Sequence, residues 1–98
     1  MPKLGNSWEI RYLDRVIRDD ISAIDYSERQ RIKKAIENKL SLRPELYGKP
    51  LRHSLKGARS LRVGDYRVLF VLVKSQVLVV GIFHRSVAYM RVEARIPN

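Results

Sequence analysis

Gly64-Asp65 is the stretch that most constrains the fold of this chain. It separates two runs with alternating residue character, and a glycine at the first of two central positions predicts the type II′ turn of a β-hairpin. The residues that flank the turn then pair with each other, and one position further out Arg62 pairs with Arg67 on the same face. Directly opposed like charges destabilise a hairpin. We therefore interpret the pair as a phosphate-binding feature, because guanidinium groups donate to phosphate oxygens through a planar fork.

A second hairpin follows the first directly. Residues 68–73 are apolar on both faces and residues 77–83 nearly so, which is typical of inner strands that are covered on both sides. The sequence leaves open whether the loop between these strands holds two or three residues. A two-residue loop brings His84 to the face of Arg67, whereas a three-residue loop brings Arg85 there.

The N-terminal half predicts one strand and two helices. Residues 7–12 alternate as a strand does, and apolar residues then follow a helical period. A capping box formed by Ser27 and Gln30 predicts the start of the second helix, which runs to about Leu42. The apolar stripe of the first helix comprises Leu13, Val16, Ile17, Ile21 and Ile24. That of the second comprises Ile32, Ala35, Ile36 and Leu40.

These elements predict one α+β domain over residues 1–98, in the order β-α-α-β-β-β with a short C-terminal helix or tail. Two N-terminal helices pack on one face of a small, twisted, mainly antiparallel four-stranded sheet. The other face holds Arg62 and Arg67. One face is therefore structural, and the other is available for chemistry.

Composition restricts the function. A net charge of +10 indicates a polyanionic partner, most plausibly nucleic acid. The chain has no cysteine and two histidines, so we expect neither a disulfide nor a metal site, and no cofactor. It has neither a membrane-spanning apolar run nor a secretory signal, and we expect a cytoplasmic protein that does not bind membranes.

A basic loop and a basic helix are candidate nucleic-acid contacts. Residues 45–57 are predicted to form a functional loop, with a short helical turn within it as an alternative. Its solvent-facing basic side chains are Lys49, Arg52, His53 and Lys56. The second helix carries further basic residues off its apolar stripe. Each one alone is interpreted as part of an ordinary solvated face, whereas together they could steer RNA or DNA without specificity. These are Arg29, Arg31, Lys33, Lys34 and Lys39.

The string LRVGDYRVLF, preceded by GKPLRHSLKGARS and followed by a strand that ends HRSVAY, resembles the RelE/ParE superfamily of toxin–antitoxin toxins. The resemblance covers essentially the whole chain, from the WEIRYL strand to Tyr89. It implies the fold just described, co-expression with an antitoxin, and one of two activities. RelE-like members cleave mRNA in the ribosomal A site, and ParE-like members poison DNA gyrase.

The resemblance also assigns site residues. The active-site positions of RelE-like toxins match Arg67, Arg85 and Tyr89, with Arg62 at a position where the family often has lysine or arginine. A further basic strand position of the family corresponds here to Ser60 or to Arg59. The residue before the matched second arginine is His84, where other members also carry a basic residue or histidine. Arg59, Lys49, Arg52 and Lys56 complete the set as predicted RNA-binding residues.

These assignments predict a metal-independent endoribonuclease in which the 2′-hydroxyl of the substrate attacks the phosphate. Arg67 and Arg62 would stabilise the additional negative charge, and Arg85 would hold the phosphate or support the leaving oxygen. His84 and Tyr89 are the candidates for proton transfer, and Tyr89 also for stacking on a base. The predicted partners are the ribosome with its mRNA and a cognate antitoxin, with a heterotetramer as one possible assembly.

Two other functions are compatible with the sequence. A ParE-like, non-catalytic inhibitor of DNA gyrase would keep the fold and need no acid or base. A plain RNA-binding module ranks last, because the sequence shows no exposed aromatic stacking platform.

Overall fold

The sheet is the framework of the fold, and the helices lie on one of its faces. The computed structural model describes residues 7–51 and 57–86. Within them five strands form one sheet in the order β1-β5-β4-β3-β2. The strands are β1 Glu9–Tyr12, β2 Lys49–Pro50, β3 Arg59–Val63, β4 Tyr66–Val73 and β5 Gln76–His84. β1 is parallel to β5, and the other neighbours are antiparallel.

Three helices connect β1 to β2, and the first two each continue into a further helical segment. The π-helical α1, Val16–Asp20, continues into a 3₁₀ turn, Ile21–Ala23. The α-helix α2, Tyr26–Ala35, continues as a π-helical segment, Ile36–Leu40, and α3 is Pro44–Tyr47. The predicted α+β fold with helices on one face of a mainly antiparallel sheet is confirmed. The predicted C-terminal helix or tail lies outside the described residues.

The sheet has five strands where the sequence predicted four. The additional strand, β2, comes from the segment predicted as a loop, and α3 forms the short helical turn for which that prediction allowed. Pro44 occupies the first turn of α3, where its missing N–H is tolerated, and Pro50 lies on an edge strand, where a missing donor is also tolerated. Short elements of this kind leave no periodic pattern in a sequence.

The predicted capping box is wrong. Helix α2 begins at Tyr26 with Asp25 at the N-cap position, and no side chain caps it. The backbone N–H of Arg29 donates to the Asp25 carbonyl at 2.8 Å, so Ser27 already lies in the first turn. Ile24 is buried and extended immediately before the helix, and this burial sets where the chain enters α2.

The core divides between the two faces of the sheet. The larger cluster joins α1 and α2 to the helix-facing side chains of the sheet, with Phe70 fully buried at its centre. A smaller cluster lies on the face without helices and includes Leu69, Val71 and Val80. β4 is thus buried on both faces from Val68 to Val71, as its apolar run predicted, whereas Val73 at the end of that run is 44% exposed. In the described ranges every helix is too short or too polar to span a lipid bilayer.

The predicted apolar stripe of the first helix is wrong at one position. Ile17 is 54% exposed, whereas Asp20 is buried, with 8% of its surface exposed. The π-helical geometry of α1 changes which side chains face the sheet, because more residues fit in each turn than in an α-helix. The Oδ2 atom of Asp20 accepts a hydrogen bond from the backbone N–H of Ile82 at 3.1 Å.

Asp20 binds β5 beyond the point where β1 ends. β1 pairs with β5 as far as Val79, and among residues 7–51 and 57–86 no strand pairs with the rest of β5 on that side. Next to this point β5 contains a β-bulge: Leu69 pairs with Gly81 and Phe70 with Val79, so that one residue of β5 is extra. The carboxylate of Asp20 therefore satisfies a buried backbone donor next to the bulge.

We expect Asp20→Ala to lower the free energy of unfolding by about 1–3 kcal/mol, because it leaves the Ile82 N–H buried without this acceptor. Urea denaturation followed by circular dichroism measures the loss. Asp20→Asn is the matched control, since its amide oxygen still accepts the bond, and we expect a smaller loss. Equal stability of Asp20→Ala and the parent protein would show that the hydrogen bond does not contribute to the free energy of unfolding.

Candidate nucleic-acid interface

The two arginines of the first hairpin lie side by side, as predicted. Gly64 has φ +60° and Asp65 has no positive φ, which is the pattern of a type II′ turn. Arg62 pairs with Arg67 in the register of β3 and β4. Both side chains are on the face without helices, because the alternate positions of these strands contribute to the helix-facing core. Arg62 is exposed, and Arg67 is half-buried with its Nη1 atom shielded from solvent.

Arg62 and Arg67 line a basic cleft of about 470 Å³. Among the described residues its lining includes four cationic side chains and one aromatic ring: Lys39, Lys49, Arg62, Arg67 and Tyr47. Lys49 pairs with Ser60 and therefore shares the face of Arg62. Because β2 holds only two residues, no strand in the described part of the chain pairs with β3 at the level of Arg62. We call this site the basic cleft.

The bulge in β5 decides which residue joins the arginine face. The loop between β4 and β5 holds two residues, with Val73 paired to Gln76. A two-residue loop was predicted to bring His84 to the face of Arg67, and this prediction is wrong. The extra residue of the bulge reverses the alternation, so Arg67 pairs with Phe83 and the face of His84 is the opposite one.

Arg85 follows His84 immediately after β5. Its backbone N–H donates to the Asp65 carbonyl at 2.7 Å, which continues the pairing one step beyond Tyr66 and His84. Its Nε atom lies 3.5 Å from Oδ1 of Asp65. Both side chains are more than half exposed, so this ion pair contributes little to stability. The Arg85 guanidinium can therefore exchange Asp65 for another anion at little cost.

His84 lies at the end of β5 against other groups. Its ring packs edge to face on Tyr66, with the ring centroids 5.5 Å apart. Its Nδ1 atom accepts the backbone N–H of Ser86 at 3.2 Å and lies 2.9 Å from the Ser86 hydroxyl oxygen. These contacts are those of a histidine that ends a strand, and the structure does not bring His84 to Arg62 and Arg67.

Of the four predicted RNA-binding residues, Lys49 lines the basic cleft. Arg59 lies on the helix-facing side of β3, and its Nη1 atom donates to the carbonyls of Gly48 at 3.0 Å and Glu45 at 3.4 Å. The structure therefore assigns Arg59 a contact with the segment before β2 and does not bring it to Arg62. The remaining predicted site residues, Arg52, Lys56 and Tyr89, lie outside the described residues.

Among the described residues, Tyr12 has a pKa that is clearly shifted from its ordinary value. Burial raises the pKa of its hydroxyl above the ordinary value of 10.0, and the nearby carboxylate of Glu37 raises it further. Tyr12 packs against the helix-facing core, on the other side of the sheet from Arg62. Its hydroxyl is therefore not a candidate for proton transfer in the basic cleft.

Sequence reasoning missed two residues of the cleft. Tyr47 was not selected, and Lys39 was interpreted as one of several solvated basic residues of the second helix that could together steer nucleic acid without specificity. In the structure the Lys39 Nζ atom lies over the Tyr47 ring, 5.6 Å from its centroid. The available signal was a tyrosine two residues before Lys49. The position of that tyrosine depends on the short helix α3, which no periodic pattern in the sequence predicts.

The chain resembles known toxins in both sequence and structure. Residues 10–89 match the family model described as the ParE toxin of type II toxin–antitoxin system. No curated protein sequence matches the chain. Among solved structures it is similar to a chain of the toxin–antitoxin complex RelBE2 from Mycobacterium tuberculosis, with a TM-score of 0.73 and 26% identity over 83% of this chain and 94% of that chain.

Two more distant structures share the fold. A mutant of the Escherichia coli toxin RelE in the free state has a TM-score of 0.60 and 15% identity, over 90% of this chain and 94% of that chain. A chain of the RelB–RelE antitoxin–toxin complex from Methanococcus jannaschii has a TM-score of 0.60 and 18% identity, over 89% of this chain and 99% of that chain.

Proposed function

Because the chain belongs to the ParE toxin family of type II toxin–antitoxin systems, in the RelE/ParE superfamily, we propose that this toxin is a metal-independent endoribonuclease that cleaves ribosome-bound mRNA. The observation that carries the proposal is the directly opposed pair of Arg62 and Arg67 in the basic cleft. Such a target would be met in the cytoplasm.

The arginine pair places two like charges directly opposite each other. Opposed like charges destabilise a hairpin, and Arg67 is also half-buried. A phosphodiester suits this position, since its two free oxygens accept hydrogen bonds from both guanidinium groups. Lys49 adds a third charge from the neighbouring strand.

The arrangement suits attack by the substrate's own 2′-hydroxyl. The reacting phosphate gains negative charge in the transition state, and preorganised cations that are partly shielded from water stabilise that charge strongly. Arg67 and Arg62 supply this stabilisation in our proposal, and Arg85 exchanges Asp65 for the phosphate or the leaving oxygen. Because His84 faces away from Arg67, we propose Tyr89, which lies outside the described residues, as the group that transfers a proton.

A non-catalytic inhibitor of DNA gyrase is the second candidate function. The match to the ParE family model favours it, and a basic cleft also suits an acidic protein surface. This function requires binding alone. It therefore predicts that residues proposed for proton transfer are dispensable for toxicity.

The partner of the toxin is a cognate antitoxin, and chains similar to this one occur in toxin–antitoxin complexes. We propose that the antitoxin places acidic side chains in the basic cleft and so blocks the phosphate site. A heterotetramer of two toxins and two antitoxins is the assembly that we propose.

Primer extension on a reporter mRNA in a purified translation system, with and without ribosomes, tests the proposed activity. We expect cuts that require ribosomes and 5′ fragments that end in a 2′,3′-cyclic phosphate, since the neighbouring hydroxyl is the nucleophile. Fragments with 3′-hydroxyl ends would exclude this mechanism. No cuts, together with inhibition of gyrase supercoiling, would establish the second candidate function instead.

A further inference from the structure

An exposed tyrosine lies among the cations of the basic cleft. Tyr47 ends α3 and is 45% exposed. Of the exposed large apolar or aromatic side chains in the described part of the chain, Tyr47 is the one that lines this cleft. An aromatic ring between basic side chains is the usual composition of a site for single-stranded nucleic acid, where bases stack on rings and cations bind the backbone.

The backbone around Tyr47 is held firmly. Its N–H donates to the Arg43 carbonyl at 3.1 Å, and the next N–H, of Gly48, donates to the Pro44 carbonyl at 3.0 Å. The Phe70 ring packs directly on Gly48. The ring of Tyr47 is therefore presented from a fixed backbone, which lowers the entropy that binding would cost.

Lys49, two residues after Tyr47, brings the chain to the face of the arginine pair. It pairs with Ser60 of β3, which shares the face of Arg62. Both Tyr47 and Arg62 line the basic cleft. A nucleotide whose phosphate binds the arginine pair thus has an aromatic surface beside it.

We infer that Tyr47 and Lys39 form a nucleotide-binding subsite of the basic cleft, in which one RNA base stacks on the Tyr47 ring and Lys39 binds a backbone phosphate. This inference rests on the proposed ribonuclease function. In the free protein the Lys39 ammonium is 5.6 Å from the ring centroid, near the outer limit of a cation–π contact, and its side chain is exposed. The ammonium therefore exchanges the ring for a phosphate readily, and the ring face becomes free for a base.

The test compares single-site variants in ribosome-dependent mRNA cleavage. We expect Tyr47→Leu to raise KM about 5- to 150-fold with little change in kcat, because the variant keeps the bulk but loses the stacking surface used equally before and during reaction. Tyr47→Phe and Tyr47→Trp keep a ring, and we expect KM to stay near that of the parent. Tyr26→Leu is the matched control, since Tyr26 is 71% exposed and lies outside the cleft.

The outcomes separate the inference from the function on which it depends. If the parent protein cleaves mRNA and Tyr47→Leu has the KM of Tyr26→Leu, the subsite is refuted while the ribonuclease stands. A low kcat in all four variants of Tyr47 and Tyr26, with reduced melting temperatures, would also refute it, because the effect would then be one of stability. If the parent protein does not cleave mRNA at all, both proposals fail together.

Discussion

Arg67→Ala is expected to lower the rate of mRNA cleavage by about 10²–10³-fold, the usual consequence of removing one preorganised group that stabilises developing negative charge. Arg67 is half-buried on β4, opposite Arg62 of β3. Its interaction with a phosphate is therefore less screened by water than that of an exposed arginine. Single-turnover cleavage of mRNA in programmed ribosomes measures this rate without interference from product release.

Three controls show whether the loss is chemical. Arg67→Lys keeps the charge but not the planar fork of donors, and we expect intermediate activity. Arg62→Ala should lose less, because Arg62 is exposed. Arg18→Ala is the matched surface control, since Arg18 is 68% exposed on α1, away from the cleft. A folded Arg67→Ala protein that cleaves at the parent rate would disprove the role of Arg67.

Phe70→Ala is expected to lower the free energy of unfolding by about 3–5 kcal/mol, the usual cost of removing a large ring from a core. Phe70 is fully buried and is the largest side chain in the helix-facing core. A domain of this size has about 5–15 kcal/mol of stability in total, so the variant should be close to unfolding. Urea denaturation with an unchanged m-value would assign the loss to the folded state.

Gly48 gives this prediction a specific control. A Cβ atom at Gly48 would overlap the Phe70 ring and lie 2.7 Å from its Cε1 atom. We expect Gly48→Ala alone to cost about 1–3 kcal/mol through overpacking, and to cost less in the Phe70→Ala background, where the ring is absent. Additive losses would show that the two residues are not in contact.

The local features of the fold were predictable because they depend on neighbours in the sequence. The Gly64-Asp65 turn determines the register of the first hairpin from two residues and the alternation beside them, and the pairing of Arg62 with Arg67 follows. The placement of the helices on one face follows equally from periodic apolar patterns. The start of α2 was missed because the burial of Ile24, not a capping side chain, sets it.

Beyond the first hairpin, the arrangement of the site depends on contacts between distant residues. The bulge near the end of β5 reverses the alternation of its last residues, and the structure there is supported by Asp20, which lies 62 positions earlier in the chain than Ile82. No periodic pattern marks such a bulge.

The sequence alone therefore determined the fold class, the arginine pair and the basic character of the site, since each is a matter of composition or of local periodicity. The tertiary structure decided that His84 does not share the face of Arg67, that Arg59 lies on the helix-facing side, and that Tyr47 lines the basic cleft. The reason is physical: a strand's parity beyond a bulge, and the position of a short helix at a sheet edge, are set by packing and by backbone hydrogen bonds between segments that are far apart in the chain.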